Sequence, residues 1–452
     1  MNSVETEILI VGGGAAGLAA GVAASDKNVT IVDDNPHLGG QIWRSEMGKI
    51  KSPDALRLID AIDTNKVEIL TNAQVFAKNG DNGLLAETRD GVVALQYEKL
   101  IIATGARERF LPFPGWTLPG IFGAGGLQAL VKSGMSVAGK RVVVAGTGAL
   151  LLAVAEYLKA KGADVRAIVE QTPAAEINRF GFSLWREPKK LAQAIALRSK
   201  LIGIPYLTDC WVTSAQSCGG PRVSKGVTRT LDVSPLLTRG LAHLERVGFE
   251  KLASVTLTQN GKQMAIECDY LACGFHLIPN VELASLLGCD IDVGFVAVDE
   301  FQRTSVENVF CGGEPTGIGG IESSLIEGKI AGLAAGGRDD EARRHFNQRA
   351  KTQDFGRRLN ETFALRDELK YLASPETLVC RCEDVTFERL RSYDSWRDAK
   401  LQTRCGMGAC QGRVCGAATE FLFDWRVDAA RPPIFPVRME SLSLVEETID
   451  DV

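Results

Sequence analysis

The sequence predicts an α/β protein: two parallel-sheet units, each opened by a strand, a glycine turn and a helix, and then a small helical unit carrying a nest of thiols. Three observations lead there. The stretch "EILIVGGGAAGLAAG" near the N-terminus is a short apolar run, a glycine cluster and an alanine-rich helix start. "KRVVVAGTGALLLAVAEYL", beginning at Lys140, repeats that plan. Five of the 11 cysteines fall between Cys380 and Cys415, and none precedes Cys210.

The totals set bounds. A chain of 452 residues has room for two or three domains with buried cores. At 45% hydrophobic and 24% charged the composition is that of a soluble globular protein. A net charge of -5 gives no footing for nucleic acid or an anionic membrane as partner. The opening "MNSVETEILI" has no basic segment and enters a strand directly, so no secretory signal is expected and a cytoplasmic location is. The apolar stretch "RVVVAGTGALLLAVAEYL" is broken by Gly146 and Gly148 and reads as strand, turn and helix rather than a membrane span. Only four histidines occur, at 37, 243, 276 and 345, which argues against chemistry built on a histidine base.

Taken in order, the first unit places Gly12, Gly14 and Gly17 at G-x-G-x-x-G spacing. These allow a tight turn, a close approach to a pyrophosphate and close helix–strand packing, in the Rossmann manner. The helix start behind them offers free amides and a positive dipole end to phosphate. The next strand, "NVTIVD", ends on Asp33, placed to accept from a ribose hydroxyl pair. "NPHLGGQIWR" follows, where a turn at Gly40 and Gln41 brings backbone towards the same ligand. "KLIIATGARERFLPFPG" is a buried strand ending at Thr104 and Gly105.

The second unit runs from Gly146 and Gly148 through a helix to a strand ending in Glu170, three candidate contacts for a second dinucleotide, whose binding stays open. Its third glycine position holds Leu151, which should push the helix away from the strand or force another turn. Between "LTDCWV" and "LASVTLTQNGK", residues 213–250 are expected as an insertion. "VENVFCGGEPTGIGGIESSLIEGKIAGLAA" then gives a strand, a turn at Gly313 and Glu314, and a helix. Residues 336–375 are charged, with Phe346, Ala350, Phe355, Leu359, Phe363 and Leu369 at roughly helical spacing, and predict a helical connector capped by Asp339 or Asp340.

Together these units resemble the two-dinucleotide-domain flavoproteins of the pyridine nucleotide–disulfide reductase-like fold. The resemblance implies FAD, or another adenine nucleotide, in the first unit. Thr104 and Gly105 would pass near the flavin nucleotide, and Gly313 and Glu314 would meet its ribityl–pyrophosphate region, where most relatives have Asp. The active-site cysteine pair of those reductases is absent, which removes disulfide reduction. The expected division is 1–115 with 275–335 as the first domain, 116–274 as the second, 336–375 as connector and 376–452 as an iron–sulfur domain and tail.

That last part holds Cys380-x-Cys382 and Cys405-x4-Cys410-x4-Cys415. Four thiolates can hold zinc or an iron–sulfur cluster. A C-x-C pair makes a poor zinc knuckle and suits one iron of a [2Fe–2S] cluster better, while the surrounding glycines free amides for its sulfides. Zinc and unligated thiols stay open as alternatives. The segment resembles bacterioferritin-associated-ferredoxin-like domains, which implies ligation by Cys380, Cys382, Cys410 and Cys415, with Cys405 a spare or substitute ligand.

"TGARERFLPFPGWTLPG", "CGFHLIPNVELASLLGC" and "CGGEPTGIGG" extend the likeness to most of the chain. It resembles the A (alpha) subunits of bacterial opine oxidases, D-hydroxyproline dehydrogenases and hydrogen cyanide synthase. The resemblance implies a hetero-oligomer with a D-amino-acid-oxidase-type flavoprotein (beta) subunit that oxidises the substrate, and FMN at the shared interface. A third, small subunit stays open, as does membrane association through a partner. The expected role is electron transfer within a dehydrogenase or oxidase of the C–N bond of a secondary amino acid, with no catalytic residue in this chain. Two other readings compete: a free-standing NAD(P)H-dependent reductase using the second unit, against which Leu151 counts, and a nucleotide-binding scaffold with structural zinc.

Overall fold

The computed structural model describes residues 2–62, 66–217, 250–426 and 430–443. Strand Asn2–Val11 changes from an exposed start to a buried run, Ile8 to Val11, because its second half is covered on both faces. It lies at the centre of a seven-stranded sheet. On one side it pairs in parallel with Val29–Asp33 and then Val67–Thr71, and on the other with Gly91–Ile102. Val309–Cys311 returns from late in the chain to pair in parallel with Gly91–Ile102. The same long strand extends into an antiparallel meander with Gly83–Thr88 and Gln74–Lys78. Helices Ala15–Ala23 and Gly320–Ala335 cover one face, both rich in buried small residues.

A second sheet contains five parallel strands in the order Tyr206–Leu207, Asp164–Glu170, Arg141–Gly146, Tyr270–Gly274, Ile121–Gly123. Strand order reverses between Arg141–Gly146 and Tyr270–Gly274, the position at which open α/β sheets form a ligand crevice at their carboxyl edge. Leu151 does not push its helix away. It is fully buried, and its Cδ2 lies only 3.2 Å from where a Cβ on Gly274 would be. The small residue needed for close packing stands on the facing strand instead of in the turn.

Cys210–Ser217, Leu252–Gln259 and Lys262–Glu267 form an antiparallel sheet that includes the start of the expected insertion. Thr213 to Ser217 belong to the first strand and pair with the second. Of the rest of the expected insertion, Glu250 accepts from Ser217 Oγ at 3.2 Å and 218–249 lie outside the described residues.

The connector forms helices Asp339–Arg343 and Phe346–Thr362 and a 3-10 turn Asp367–Tyr371. The expected aspartate cap is absent: Arg338 occupies the cap position, and the Asp339 carboxylate pairs with Arg303 at 2.7 Å. The thiol unit is a short hairpin, Leu378–Cys380 with Val385–Thr386, and helices Phe387–Leu390, Trp396–Thr403 and Cys415–Phe423. Three donors from the segment after Gly105 hold it. Trp116 Nε1 donates to the Leu378 carbonyl (2.6 Å), Arg107 Nε to that of Arg413 (3.4 Å) and Arg109 Nη1 to that of Ala417 (3.1 Å). The tail returns over the first sheet, where Ile434 N donates to the Phe76 carbonyl at 2.8 Å. Among the described residues no helix is long and apolar enough to cross a membrane.

Candidate cofactor sites

In the first cradle a Cβ on Gly17 would lie 1.8 Å from the Gly12 carbonyl oxygen, so only glycine lets the helix start sit this close to its strand. Helix Ala15–Ala23 begins at Gly14 with no side-chain cap, leaving its first amides for an anion. Gly40 faces Gly14 across bare backbone, its would-be Cβ 3.1 Å from the Gly14 Cα. The Asp33 carboxylate accepts from Gly13 N at 2.6 Å and Asn35 N at 2.7 Å, fixed at the strand end beside the turn. Gln41 is exposed, its side-chain oxygen accepting from Arg44 at 3.0 Å. Uncapped amides, facing glycines and a fixed carboxylate fit the adenine half of a dinucleotide.

Thr104 and Gly105 continue this cradle. Thr104 Oγ1 donates to the Asn280 carbonyl at 2.7 Å, and Asn280 returns a bond from Nδ2 to the Thr104 carbonyl at 2.9 Å. Asn280 Oδ1 also accepts from Arg107 at 2.7 Å, and Arg107 reaches the Arg413 carbonyl in the thiol unit. Neither Asn280 nor Arg413 was singled out by sequence, because a bond across 173 residues leaves no local pattern.

Across the cradle, Gly313 N donates to the Glu327 carboxylate at 3.0 Å. Thr316 Oγ1 (2.9 Å), Ser323 Oγ (3.0 Å) and Gln353 Nε2 (3.1 Å) complete that buried carboxylate's partners. Glu327 therefore holds the turn in which Glu314 stands. The Glu314 carboxylate has no hydrogen-bond partner among the described residues, and desolvation raises its pKa, which leaves a carboxyl suited to a hydroxyl-bearing ligand.

In the second unit the buried Glu170 carboxylate accepts from Gly148 N (2.8 Å) and Thr172 N (3.0 Å), while Gly146 ends the preceding strand. Burial raises the Glu170 pKa against those two bonds.

The thiol nest is graded in exposure. Cys380, Cys405 and Cys415 are buried, with sulfurs all within 4.8 Å of one another. Cys410 is half-buried and Cys382 exposed. Cys405 and Cys415 hold the Cys380 thiol down to about 2, and Cys415 lowers Cys410. In return the bond to Cys380 pushes Cys405 up to about 12, and bonds to Cys380, Cys405 and Cys410 raise Cys415. The Cys410 backbone amide favours the Cys382 thiolate but is outweighed by desolvation and by the Cys410 sulfur. Stable thiolates among close sulfurs are a donor set for a soft metal or cluster. Gly406 and Gly412, both at φ +80, clear room for the buried Trp396 ring beneath the nest; a Cβ at Gly406 would come within 2.6 Å of it. Sequence reading left Cys405 at the margin, and the structure brings it among the buried sulfurs.

The model of the pyridine nucleotide-disulphide oxidoreductase family matches residues 6–324. The chain belongs to that family. Within it, similarity reaches almost full length with the opine oxidase A subunit of Rhizobium meliloti, 28% identical over 98% of this chain and 88% of the relative. Hydrogen cyanide synthase subunit HcnB of Pseudomonas protegens is also 28% identical, over 90% of this chain and 89% of its own. The resemblance to opine oxidase A subunits read from the sequence therefore stands. Among solved structures, the L-proline dehydrogenase of P. horikoshii matches 98% of this chain and 80% of its own at TM-score 0.63 and 18% identity, a likeness of fold.

Proposed function

We propose that this chain is the electron-transfer subunit of a multi-subunit, flavin-dependent dehydrogenase or oxidase acting on the C–N bond of a secondary amino acid such as an opine or D-hydroxyproline. Its partner is a D-amino-acid-oxidase-type flavoprotein subunit that oxidises the substrate, with FMN at the shared interface. The observation that carries this reading is the hydrogen-bonded path from the Thr104–Asn280 pair through Arg107 to Arg413, which joins the first cradle to the thiol nest. The near full-length likeness to HcnB and to opine oxidase A subunits supports it.

When bound, FAD supplies a two-electron store and a [2Fe–2S] cluster a one-electron carrier. On this reading Gly12, Gly14, Gly17 and Asp33 bind the adenine nucleotide, and Gly40, Gln41, Thr104, Gly105, Gly313 and Glu314 line the remainder. Cys380, Cys382, Cys410 and Cys415 hold the cluster. Arg107 and Trp116 orient the thiol unit against the cradle, and Trp396 keeps water from the buried side of the nest.

The deciding experiment is absorbance and EPR spectroscopy on anaerobically purified protein, before and after dithionite, with iron, sulfide and zinc analysis. Broad visible bands, a rhombic signal on reduction and about two irons per chain are expected. Zinc with a silent spectrum would remove electron transfer from the protein's role.

A further inference from the structure

The crevice of the second sheet is filled from within the chain. Four neighbouring parallel strands end there, and a residue just beyond each one reaches the same short segment of the connector. After Arg141–Gly146, Thr147 Oγ1 donates to the Phe363 carbonyl at 3.1 Å. After Tyr270–Gly274, His276 Nε2 donates to the same oxygen at 2.6 Å. These two strands flank the point where strand order reverses, so one carbonyl oxygen takes both bonds at the position where a dinucleotide crosses such a sheet. After Asp164–Glu170, Gln171 Nε2 donates to the Ala364 carbonyl at 2.8 Å and its Oε1 accepts from Arg366 N at 3.1 Å. Beyond Tyr206–Leu207, Asp209 pairs with the Arg366 guanidinium, which also lies 4.9 Å over the Trp211 ring.

The arrangement is buried. Thr147, Gln171 and Phe363 are each 5% exposed or less. The Phe363 ring stands edge-on to Phe180 at 5.8 Å, and helix Phe346–Thr362 packs against Ala174–Ser183, which closes the crevice from the side. His276 holds a left-handed backbone, φ +66, a conformation costly for a non-glycine residue, and bonds to residues 363–366, the strap across these strand ends.

We infer that residues 363–366 are the resident occupant of the second dinucleotide crevice, and that the chain takes no nicotinamide nucleotide there. The unit keeps the strands, the turn and the terminal carboxylate of a nucleotide-binding fold but uses its ligand edge to anchor the connector. Electrons consequently enter from a source other than NAD(P)H at this site.

The test is titration of the full chain, with its own bound nucleotide retained, by NADH and by NADPH. Tryptophan fluorescence reads binding through Trp211, and amide hydrogen exchange reads residues 363–367. No saturable response is expected, with the Arg366 amide protected. Saturable binding that leaves this amide protected places the nucleotide elsewhere and upholds the inference. Saturable binding that exposes residues 363–367 to exchange overturns it. Removing the anchors with Thr147→Val and Gln171→Ala together should speed exchange at Arg366 by about tenfold. Should that variant fail to fold, Arg366→Ala, at the outer end of the strap, should speed exchange of the neighbouring amides likewise. Unchanged exchange in the variants that fold would also overturn the inference.

Discussion

One methyl group at position 17 would sit 1.8 Å from the Gly12 carbonyl oxygen, a separation no packing can relieve without moving the helix. Gly17→Ala should therefore destabilise the first unit by about 2 kcal/mol or more and reduce retained adenine nucleotide. Urea midpoints and nucleotide content after gel filtration would measure both. The thiols give a second test at this scale. Under the proposed ligand set Cys405→Ser keeps iron at the native level whereas Cys415→Ser loses it, as judged by iron analysis of anaerobically purified protein. Iron loss in Cys405→Ser would shift ligation to the buried triad. The glycines and Asp33 were legible in sequence because strand, glycine turn, helix and strand-end acid follow in a recognisable order and spacing, even though Asp33 meets Gly13 across 20 residues. The place of Cys405 was not, because spacing along the chain does not reveal that residues 380 and 405 meet in space.

Among the elements, the segment around Glu46 ties the first unit to the second. Its carboxylate meets Lys51, accepts from Tyr157 Oη at 2.7 Å and pairs with Lys161 at 3.2 Å. Lys51 first, then Tyr157, hold its pKa down to about 2 from an ordinary 4.5. A folded-state pKa below the unfolded one means stability that is full above about pH 4.5 and is lost as pH falls towards about 2. Glu46→Gln should flatten the acid limb of stability over that window relative to the native chain, measured by thermal midpoints from pH 5 downwards. The strand–turn–helix order of both nucleotide units could be read from periodicity. The strap could not, since Phe363 follows Thr147 by 216 residues and its carbonyl carries no sequence signal. Leu151 goes with a different turn, as one of the two expected outcomes had it, Gly148 standing at φ +94 where Gly14 is at φ -79, and its compensating glycine, Gly274, lies on another strand.

For the molecule as a whole, the proposed role predicts a separation of half-reactions. In the complex with its partner, Cys382→Ser or Cys410→Ser should abolish reduction of the external acceptor while leaving single-turnover reduction of the partner's flavin intact, as followed by stopped-flow absorbance. Survival of acceptor reduction in both variants would refute the relay. The way the thiol unit is seated carries a further consequence. The three bonds from Trp116, Arg107 and Arg109 are given by side chains of the main body and received by main-chain oxygens of the small unit. A main-chain oxygen is the same whatever residue bears it. Those three bonds would accept a thiol unit of different sequence, provided its backbone keeps the same path and it keeps the side chains that pair with the body, Arg413 with Glu282 at 4.0 Å and Glu420 with Arg109 at 3.7 Å. In a chimaera, Trp116, Arg107 and Arg109 are the positions to hold fixed in the body, and Arg413 and Glu420 those to carry over with the small unit.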